Sequence, residues 1–316
     1  MSEKKVFAGV DLGGTKILIV LMDEGGNKLR EAETATKASE GADAVIGRIV
    51  ALLQQLIGPG DRLASIGVAT AGTLNADEGI VALASNLGWK DVPLGKKLEE
   101  SFGVPTSLEN DANAAAYGEW AVGAGKGSQD CVYITVSTGI GAGIVSGGKL
   151  LRGRDNSAGE LGHITLDWNG PKCPCGNVGC VELYASGTAI GRAGQRLAEE
   201  RPDEAKALLS LAAGEPITSR HISAAAAAGD EAALALLSEA GRALGTGLVS
   251  IIHMANPEVI VLGGGASAIG EPLLAPMRKA IADLGIASMA DGVRIIAPEL
   301  GKEAGAIGAA LLVANG

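Results

Sequence analysis

The chain has 316 residues, of which 47% are apolar and 3% are aromatic. This length is enough for two domains, whose cores must be built from Ala, Val, Ile and Leu. The net charge of −10, without a long basic run, argues against nucleic acid as a partner. No stretch approaches the roughly 18 apolar residues that span a bilayer, and Asp11 interrupts an N-terminal apolar run that is too short for a signal peptide. We therefore expect a cytoplasmic protein with no membrane partner and with reduced cysteines.

The first part of the chain is predicted to alternate strands with helices. Short apolar runs indicate strands, and apolar residues three and four positions apart indicate amphipathic helices. The pair Gly25-Gly26 marks a hairpin turn between the second and third strands. The predicted elements are strands 6–10, 17–22 and 28–34, helix 42–57, strand 65–70, helix 93–102, strand 106–108 and helix 111–120.

The pattern then restarts with a strand, a polar glycine turn and a second strand. The segments VFAGVDLGGTKILIV (6–20) and VYITVSTGIGAGIVS (132–146) share this arrangement, which indicates an internal duplication. Two related α/β halves imply a cleft between domains, and such clefts are common ligand sites. The later predicted elements are strands 131–136, 142–146 and 149–151, a helical region 203–229, helix 230–254, strand 258–262, helix 272–282, strand 293–297 and helix 303–313.

Two glycine turns occupy matching positions in this repeat, at 11–16 (DLGGTK) and 137–143 (STGIGAG). Neither fits the P-loop pattern and neither opens a helix, so neither is one of the two common nucleotide-binding glycine motifs. A turn between strands can still present successive backbone N–H groups to an anion. Either turn alone is most simply a turn, but the matched pair favours a nucleotide whose phosphates are held from both domains. A third turn, 261–267 (VLGGGAS), would let adenine or ribose approach the backbone.

One histidine and three cysteines, His163, Cys173, Cys175 and Cys180, fall within 18 residues. Zinc binds nitrogen and sulfur ligands at tetrahedral angles, and four protein ligands make a closed, structural site. A disulfide with one spare thiol is disfavoured, because Cys173 and Cys175 are too close for an easy bridge and nothing marks the chain for export. The fourth cysteine, Cys131, lies in an apolar run and is predicted to be a core residue.

The polar pair Asn110-Asp111 ends a predicted strand and begins a helix. Both residue types are favoured helix N-caps, which would be a purely structural role. Alternatively, a carboxylate at the carboxyl end of the strand acts as the base on a hydroxyl group, as phosphoryl transfer to an alcohol requires. The residues alone leave both interpretations open.

The motifs DLGGTK, ENDANAAA, STGIGAGIV, AGELGH and CPCGNVGCVE resemble those of the ROK family (repressors, open reading frames, kinases), and the resemblance covers nearly the whole chain in the family's order. The resemblance implies an actin/hexokinase-like (ribonuclease H-like) α/β fold. Its two domains would be residues 1–112 plus 299–316, and residues 113–298 with a zinc loop at 163–180. It also implies ATP-dependent phosphorylation of a hexose, with glucose converted to glucose 6-phosphate, and the cofactors Mg²⁺ and structural Zn²⁺.

The resemblance also assigns roles to individual residues. Asp111 would be the general base, Asp11 would help to organise Mg²⁺, and His163 would bind zinc through one ring nitrogen and a sugar hydroxyl through the other. The implied sugar-binding residues are Gly72, Asn86, Asn110, Asp111, Glu160, His163 and Glu182. Together with the glycine turns above, the predicted nucleotide-binding residues are Asp11, Gly13, Gly14, Thr15, Lys16, Thr138, Gly139, Gly141, Gly263, Gly264 and Gly265. The predicted zinc ligands are His163, Cys173, Cys175 and Cys180.

Two other functions stay open at the level of the sequence. Another ROK kinase would act on fructose, mannose, allose, N-acetylmannosamine or N-acetylglucosamine, and ATP is not distinguished from polyphosphate as the donor. A non-catalytic sugar sensor is the second alternative, but ROK repressors carry an N-terminal DNA-binding extension for which a first strand at residue 6 leaves no room. We further expect a homodimer or a homotetramer.

Overall fold

Two five-stranded sheets and one three-stranded sheet form the framework of the chain. The computed structural model describes residues 3–315, without the side chain of Ala266. The first elements are β1 (Lys4–Leu12), β2 (Lys16–Asp23), β3 (Lys28–Ala35), α1 (Ala42–Leu56), β4 (Asp61–Thr70), β5 (Thr73–Asn75), β6 (Ile80–Ala84), β7 (Trp89–Val92), α2 (Leu94–Phe102), β8 (Thr106–Asn110), α3 (Asp111–Val122), β9 (Cys131–Val136), β10 (Ile140–Ser146) and β11 (Lys149–Leu150). They are followed by α4 (Glu182–Ala185), α5 (Gly187–Glu200), α6 (Lys206–Ala212), α7 (Ser219–Ala227), α8 (Glu231–Ala255), β12 (Val259–Gly263), α9 (Glu271–Leu284), α10 (Ala287–Ala290), β13 (Arg294–Ile296) and α11 (Ala304–Ala314).

The two large sheets have the same strand order. The first is β3-β2-β1-β4-β8 and the second is β11-β10-β9-β12-β13. In the first sheet β2 is antiparallel to both β1 and β3, whereas β4 is parallel to β1 and β8. In the second, β10 and β11 are antiparallel, and β12 and β13 are parallel. The duplication predicted from the two strand–turn–strand segments is therefore confirmed, as is the α/β fold class.

The first sheet is covered on both faces, which explains the continuous apolar runs of β1 and β2. One face carries a core that includes Val10, Ile19 and Leu53, with α1 and α2 packed over it. On the other face, Leu18 and Ile307 belong to a second cluster under α11.

Glycines allow α11 to approach the first sheet at backbone distance. A Cβ atom on Gly9 of β1 would lie 1.8 Å from the carbonyl oxygen of Ala306, and one on Gly67 of β4 would lie 2.0 Å from that of Ala309. The same helix meets α3 at Gly308, where a Cβ would lie 1.7 Å from the carbonyl oxygen of Ala114. No side chain fits at these distances, so the glycines fix where α3 and α11 lie.

The chain divides into two compact units, residues 3–133, 143–159 and 298–315, and residues 134–142 and 160–297. This division differs from the predicted domain boundary, because residues 113–133 and 143–159 lie in the first unit. The close packing of α3 on α11 accounts for much of the difference. Sequence patterns do not reveal such a contact between distant helices.

Several elements were not predicted. They are the sheet formed by β5, β6 and β7, and the helices α4, α5 and α10. The predicted helical region 203–229 is confirmed as α6 and α7.

Among the residues that the structure describes, one helix, α8, is long and apolar enough to be a candidate membrane span by length and composition alone. It has 25 residues and a mean hydropathy of 1.2 over its most apolar window. Glu239 and Arg242 interrupt this helix, so it contains no unbroken apolar run of roughly 18 residues. Moreover, 56% of that window is buried inside the protein. Buried core helices can have the same length and apolar composition as a membrane span.

Candidate active site

The junction between β8 and α3 positions Asn110 and Asp111. Asn110 is the helix N-cap, and its Oδ1 accepts hydrogen bonds from the backbone N–H groups of Ala112 and Asn113 at 2.9 and 3.2 Å. Asp111 is the first helical residue, and one of its carboxylate oxygens accepts the N–H of Ala112 at 2.9 Å. The capping role therefore belongs to Asn110, and the helix start does not depend on the carboxylate of Asp111 as its cap.

Two carboxylates of the first unit, Asp11 and Asp111, ionise less readily than ordinary aspartates. Burial, followed by the charge of Asp111, raises the pKa of Asp11 from 3.8 to about 7, against the lowering effect of Lys16. Burial also raises the pKa of Asp111, partly offset by backbone hydrogen bonds to its carboxylate. A carboxylate with a raised pKa is a better proton acceptor near neutral pH. Their mutual repulsion also favours a cation nearby.

The first predicted phosphate turn is a tight hairpin between β1 and β2. The N–H of Gly13 donates to the carbonyl of Lys16 at 3.0 Å. A Cβ on Gly14 would lie 2.9 Å from the carbonyl oxygen of Asn86. Asn86, predicted as a sugar contact, is therefore a direct neighbour of this turn. The Nζ of Lys16 forms an ion pair with Glu33 at 3.0 Å.

Gly72, another predicted sugar contact, follows the carboxyl end of β4. Its φ of +117° is a conformation that residues with a side chain rarely adopt. A Cβ there would also lie 2.2 Å from the carbonyl oxygen of Leu83. Backbone packing alone therefore requires glycine at this position.

The predicted zinc ligands His163, Cys173, Cys175 and Cys180 form one cluster, in which the ligand atoms all lie within 4.8 Å of one another. The Sγ atoms of Cys175 and Cys180 are 3.8 Å apart, and the Sγ of Cys173 is 3.8 Å from Nδ1 of His163. A tetrahedral site with Zn–S bonds of about 2.3 Å separates two sulfurs by about 3.8 Å. The cluster therefore has the size and the donor set of a zinc site, and all three cysteines are free thiols.

The electrostatics of the cluster favour a bound cation. Burial, followed by hydrogen bonds with Cys173 and Cys175, raises the pKa of Cys180 to about 12. Hydrogen bonds, led by one with the backbone of Asn177, lower the pKa of Cys175, whereas the Cys180 thiol ionises unfavourably without a positive charge. A divalent metal reverses this, because zinc binds thiolate and releases its proton.

The loop around the cluster holds the backbone of His163, and the two ring nitrogens face different neighbours. The Nδ2 group of Asn177 donates to the carbonyl of His163 at 3.0 Å. Nδ1 of the ring faces Cys173, whereas Nε2 lies 3.9 Å from Oε2 of Glu160. Nδ1 is therefore the ring nitrogen that faces the cysteines, and Nε2 lies on the side of Glu160.

Glu182 connects the zinc loop to the second predicted phosphate turn. Its Oε2 accepts the backbone N–H of Ile140 at 2.8 Å. A Cβ on Gly139 would lie 2.4 Å from the same oxygen. Because β10 begins at Ile140, the turn is only three residues long, and Gly141 lies within the strand rather than in the turn.

A cavity of about 1300 Å³ opens beside this turn in the second unit. It is lined by Thr138 and Gly265, which were predicted to bind nucleotide, and by polar residues that the sequence analysis missed: Thr188, Arg192, Gln195, Glu215, Thr218, Ser219 and Arg220. The hydroxyl of Thr188 donates to the carbonyl of Thr138 at 2.8 Å. The SGT sequence at 186–188, an N-cap signal directly after the zinc motif, is the one hint to this wall that the sequence offers.

The glycines of the third turn have different roles at the cavity. Gly263 ends β12, and Gly264 has a φ of +83°. A Cβ on Gly264 would lie 2.4 Å from the carbonyl oxygen of Val136. Gly264 is therefore needed for packing against β9, and Gly265 lines the cavity.

The predicted sugar-binding residues divide between the two compact units. Gly72, Asn86, Asn110 and Asp111 belong to the first, and Glu160, His163 and Glu182 belong to the second. Within the first unit, Asn86 lies beside the first glycine turn. Within the second, Glu160 lies beside His163, and Glu182 lies beside the second glycine turn.

The chain is similar to known proteins over nearly its whole length. Residues 7–315 match the model of the ROK family. A glucokinase of Streptomyces coelicolor is 38% identical over 308 residues, which are 96% of this chain and 95% of that protein. A ROK family glucokinase from Streptomyces griseus, solved in complex with glucose and AMPPNP, superposes with a TM-score of 0.82 at 38% identity, over 98% of this chain and all 100% of that chain.

Repressors are also relatives, but over less of their length. The xylose repressor of Bacillus subtilis is 34% identical over 251 residues, which are 79% of this chain and 61% of that protein. The match of the family model over nearly all of the chain shows that the chain belongs to the ROK family.

Proposed function

We propose that this sugar kinase transfers the γ-phosphoryl group of ATP to the 6-hydroxyl group of a hexose, with glucose as the preferred acceptor. The observation that carries the proposal is Asp111, a carboxylate with a raised pKa that is fixed at a strand–helix junction. The choice of glucose rests on the glucokinase relatives, which are similar to this chain over nearly their whole length.

In this proposal Asp111 is the general base. It accepts the proton of the sugar hydroxyl while that oxygen attacks the γ-phosphorus, which contributes roughly 10²–10⁴ in rate. The other sugar hydroxyls are held by Gly72, Asn86, Asn110, Glu160, His163 and Glu182. Several polar contacts spread around the ring orient the reacting hydroxyl for in-line attack.

ATP occupies the cavity of the second unit, with its base against the walls formed by α5 and α7. The turns at Gly13–Thr15 and at Thr138–Gly139 present backbone N–H groups to the phosphates. When Mg²⁺ is bound with ATP, it neutralises charge on the phosphates. Asp11 suits a role beside that cation, because it is a buried oxygen donor close enough to Asp111 for their charges to repel.

The Cys₃His cluster holds a structural zinc ion in the proposal. Ligation through Nδ1 fixes the tautomer of His163 and leaves Nε2–H as a donor to a sugar hydroxyl. We further propose that the reaction takes place in the cytoplasm and that the enzyme is a homodimer or homotetramer.

A hexose panel with a coupled ADP assay tests the proposal. Wild-type protein should turn over with ATP, and glucose should give the highest kcat/KM among the neutral hexoses and N-acetylated hexosamines. Polyphosphate in place of ATP tests the donor. Sugar binding without turnover of any hexose would instead support a sugar sensor, the alternative suggested by the repressor relatives.

A matched pair of variants tests the base. Asp111→Asn should lower kcat by roughly 10²–10⁴ while sugar binding measured by calorimetry is largely retained. Asp291→Asn, an exposed aspartate at the end of α10, is the control and should keep wild-type kcat. Turnover of Asp111→Asn within about threefold of wild type would remove Asp111 from the mechanism.

A further inference from the structure

Glu109 immediately precedes the proposed catalytic junction and is nearly inaccessible, with 6% of its surface exposed. Its Oε1 accepts the backbone N–H of Asn110 at 3.1 Å and the side-chain Nδ2–H of Asn113 at 3.0 Å. Its Oε2 accepts Nε–H of Arg152 at 2.7 Å. A buried carboxylate is retained only where such partners compensate for its lost hydration.

These bonds enclose Asp111 on both sides. The side chain of Asn110 accepts the N–H of Asn113, and the side chain of Asn113 donates to Glu109, which in turn accepts the N–H of Asn110. The result is a closed ring of hydrogen bonds over the first turn of α3, similar to a capping box but extended by one residue. Asp111 lies inside the ring, so its backbone has little freedom.

The ring of hydrogen bonds carries a free-energy cost that capping of the helix alone would not require. Among the described residues, Oδ1 of Asn113 is buried and has no hydrogen-bond partner. A buried unpaired acceptor costs about 1–3 kcal/mol. A helix can be capped by Asn110 alone, so Asn113 is explained by its donation to Glu109 rather than by helix stability.

We propose that Glu109, Asn113 and Arg152 form a positioning network that holds the backbone around Asp111 and so aims its carboxylate at the sugar hydroxyl. Arg152 balances the buried charge of Glu109 and lies in the loop that leads to Glu160, a predicted sugar ligand. None of the three residues is assigned a contact with substrate. The inference rests on the proposed role of Asp111 as the base.

Kinetics of Glu109→Ala and Asn113→Ala test the network. We expect kcat to fall roughly 10- to 100-fold, as for a catalytic group displaced by about 1 Å, with little change in the KM for ATP. Glu109→Gln keeps an acceptor oxygen for Asn110 and Asn113, so it should recover most of the lost kcat.

Glu119 is the matched control at the opposite end of α3. It is also buried, and its carboxylate accepts the backbone N–H groups of Ala124, Glu299 and Leu300. Glu119→Ala should lower Tm but leave kcat near that of wild type. If the Glu109 and Asn113 variants lose Tm alone and keep kcat within about threefold, the network is structural only.

A double variant tests the ion pair. Arg152→Met leaves the charge of Glu109 buried without its cation, so its kcat should fall. Adding Glu109→Gln removes that charge, and the double variant should be more active than Arg152→Met. Equal kcat values for Arg152→Met and the double variant would show that Arg152 does not act by balancing the charge of Glu109.

Hydrogen exchange provides a readout that does not depend on turnover. The amides of residues 110–113 should exchange roughly tenfold faster in Glu109→Ala than in wild type, and at the wild-type rate in Glu119→Ala. Unchanged exchange in Glu109→Ala would overturn the network. Absence of hexose turnover in wild type would instead reject the proposed function and leave hydrogen exchange to decide whether the network exists.

Discussion

At the scale of single residues, the raised pKa of Asp111 determines where activity is lost on acidification. A general base works only as the carboxylate, so kcat/KM falls as pH drops through its pKa. Because burial raises this pKa above 3.8, we expect the midpoint of the acid limb at a higher pH than for an ordinary aspartate. Steady-state kcat/KM from about pH 4 to about pH 9 measures that midpoint.

The same carboxyl affects stability with a definite sign. Its pKa is higher in the folded chain than in the unfolded chain, so its contribution to folding becomes less favourable as pH rises from 3.8 through the folded pKa. The Asp111→Asn variant carries no ionisable group at this position. Its Tm relative to that of wild type should therefore rise as the pH is raised from acid to about pH 8. An acid limb at or below pH 3.8, or a Tm difference independent of pH, would contradict the raised pKa.

His163 allows its two proposed roles to be separated by one substitution. His163→Cys should keep zinc, since four cysteines form a sound site, but should lose the Nε2 donor. A lost buried hydrogen bond costs about 1–3 kcal/mol, or roughly 5- to 150-fold in sugar affinity. Metal analysis and sugar titration measure the two effects.

A sugar analogue provides the control for His163. An analogue that lacks the contacted hydroxyl should bind wild type and His163→Cys about equally. A zinc-loaded variant with wild-type affinity for the natural sugar would leave His163 as a metal ligand only.

At the scale of elements, glycine residues determine how closely α11 packs on its neighbours. A Cβ on Gly308 would lie 1.7 Å from the carbonyl oxygen of Ala114, so Gly308→Ala must push α11 and α3 apart. We expect a loss of about 1–3 kcal/mol or more in the free energy of unfolding, measured by thermal or denaturant unfolding.

Gly47 in α1 is the matched control for this substitution. Among the described residues, and apart from its chain neighbours and the nearby backbone of α1, no heavy atom lies within 4 Å of the position that its Cβ would take. Gly47→Ala should therefore stabilise the protein by about 0.5–1 kcal/mol, because it lowers the entropy of the unfolded chain. Equal effects at Gly47 and Gly308 would show that helix propensity, rather than close packing, governs both positions.

At the scale of the whole molecule, zinc should contribute to global stability. Metal analysis should find about one zinc per chain, and a chelator should lower Tm because the metal binds the folded chain more tightly than the unfolded chain. Cys175→Ser should behave like chelated protein, whereas Cys131→Ala, at a buried cysteine outside the cluster, should keep the metal. Metal-free protein with unchanged Tm and sugar affinity would rule out the structural zinc.

The sequence predicted those features that short spacing encodes. His163 and Cys180 lie in one continuous segment, so their ligand pattern is visible without a fold, and the repeat of strand, glycine turn and strand is visible in the same way. The sequence patterns placed α7 in the helical region 203–229 but predicted neither α5 nor the cavity that the two helices line, because segments far apart in the chain, such as those of Thr138 and Arg220, form that cavity together. The compact units differ from the predicted domains, which stay a prediction, where α3 meets α11, a contact between segments almost 200 residues apart (Ala114 and Gly308).

The packing of α11 on β1 and β4 has a consequence for biosynthesis. The ribosome makes the sheet of the first unit early, but the helix that covers one of its faces is made only after all of the second unit. Until α11 emerges, that face, which includes Leu18 and Val20, is exposed on the nascent chain. The second unit can fold during translation, whereas the first is completed only near the end of synthesis. A nascent chain stalled before Ala304 should therefore bind chaperones through the uncovered sheet.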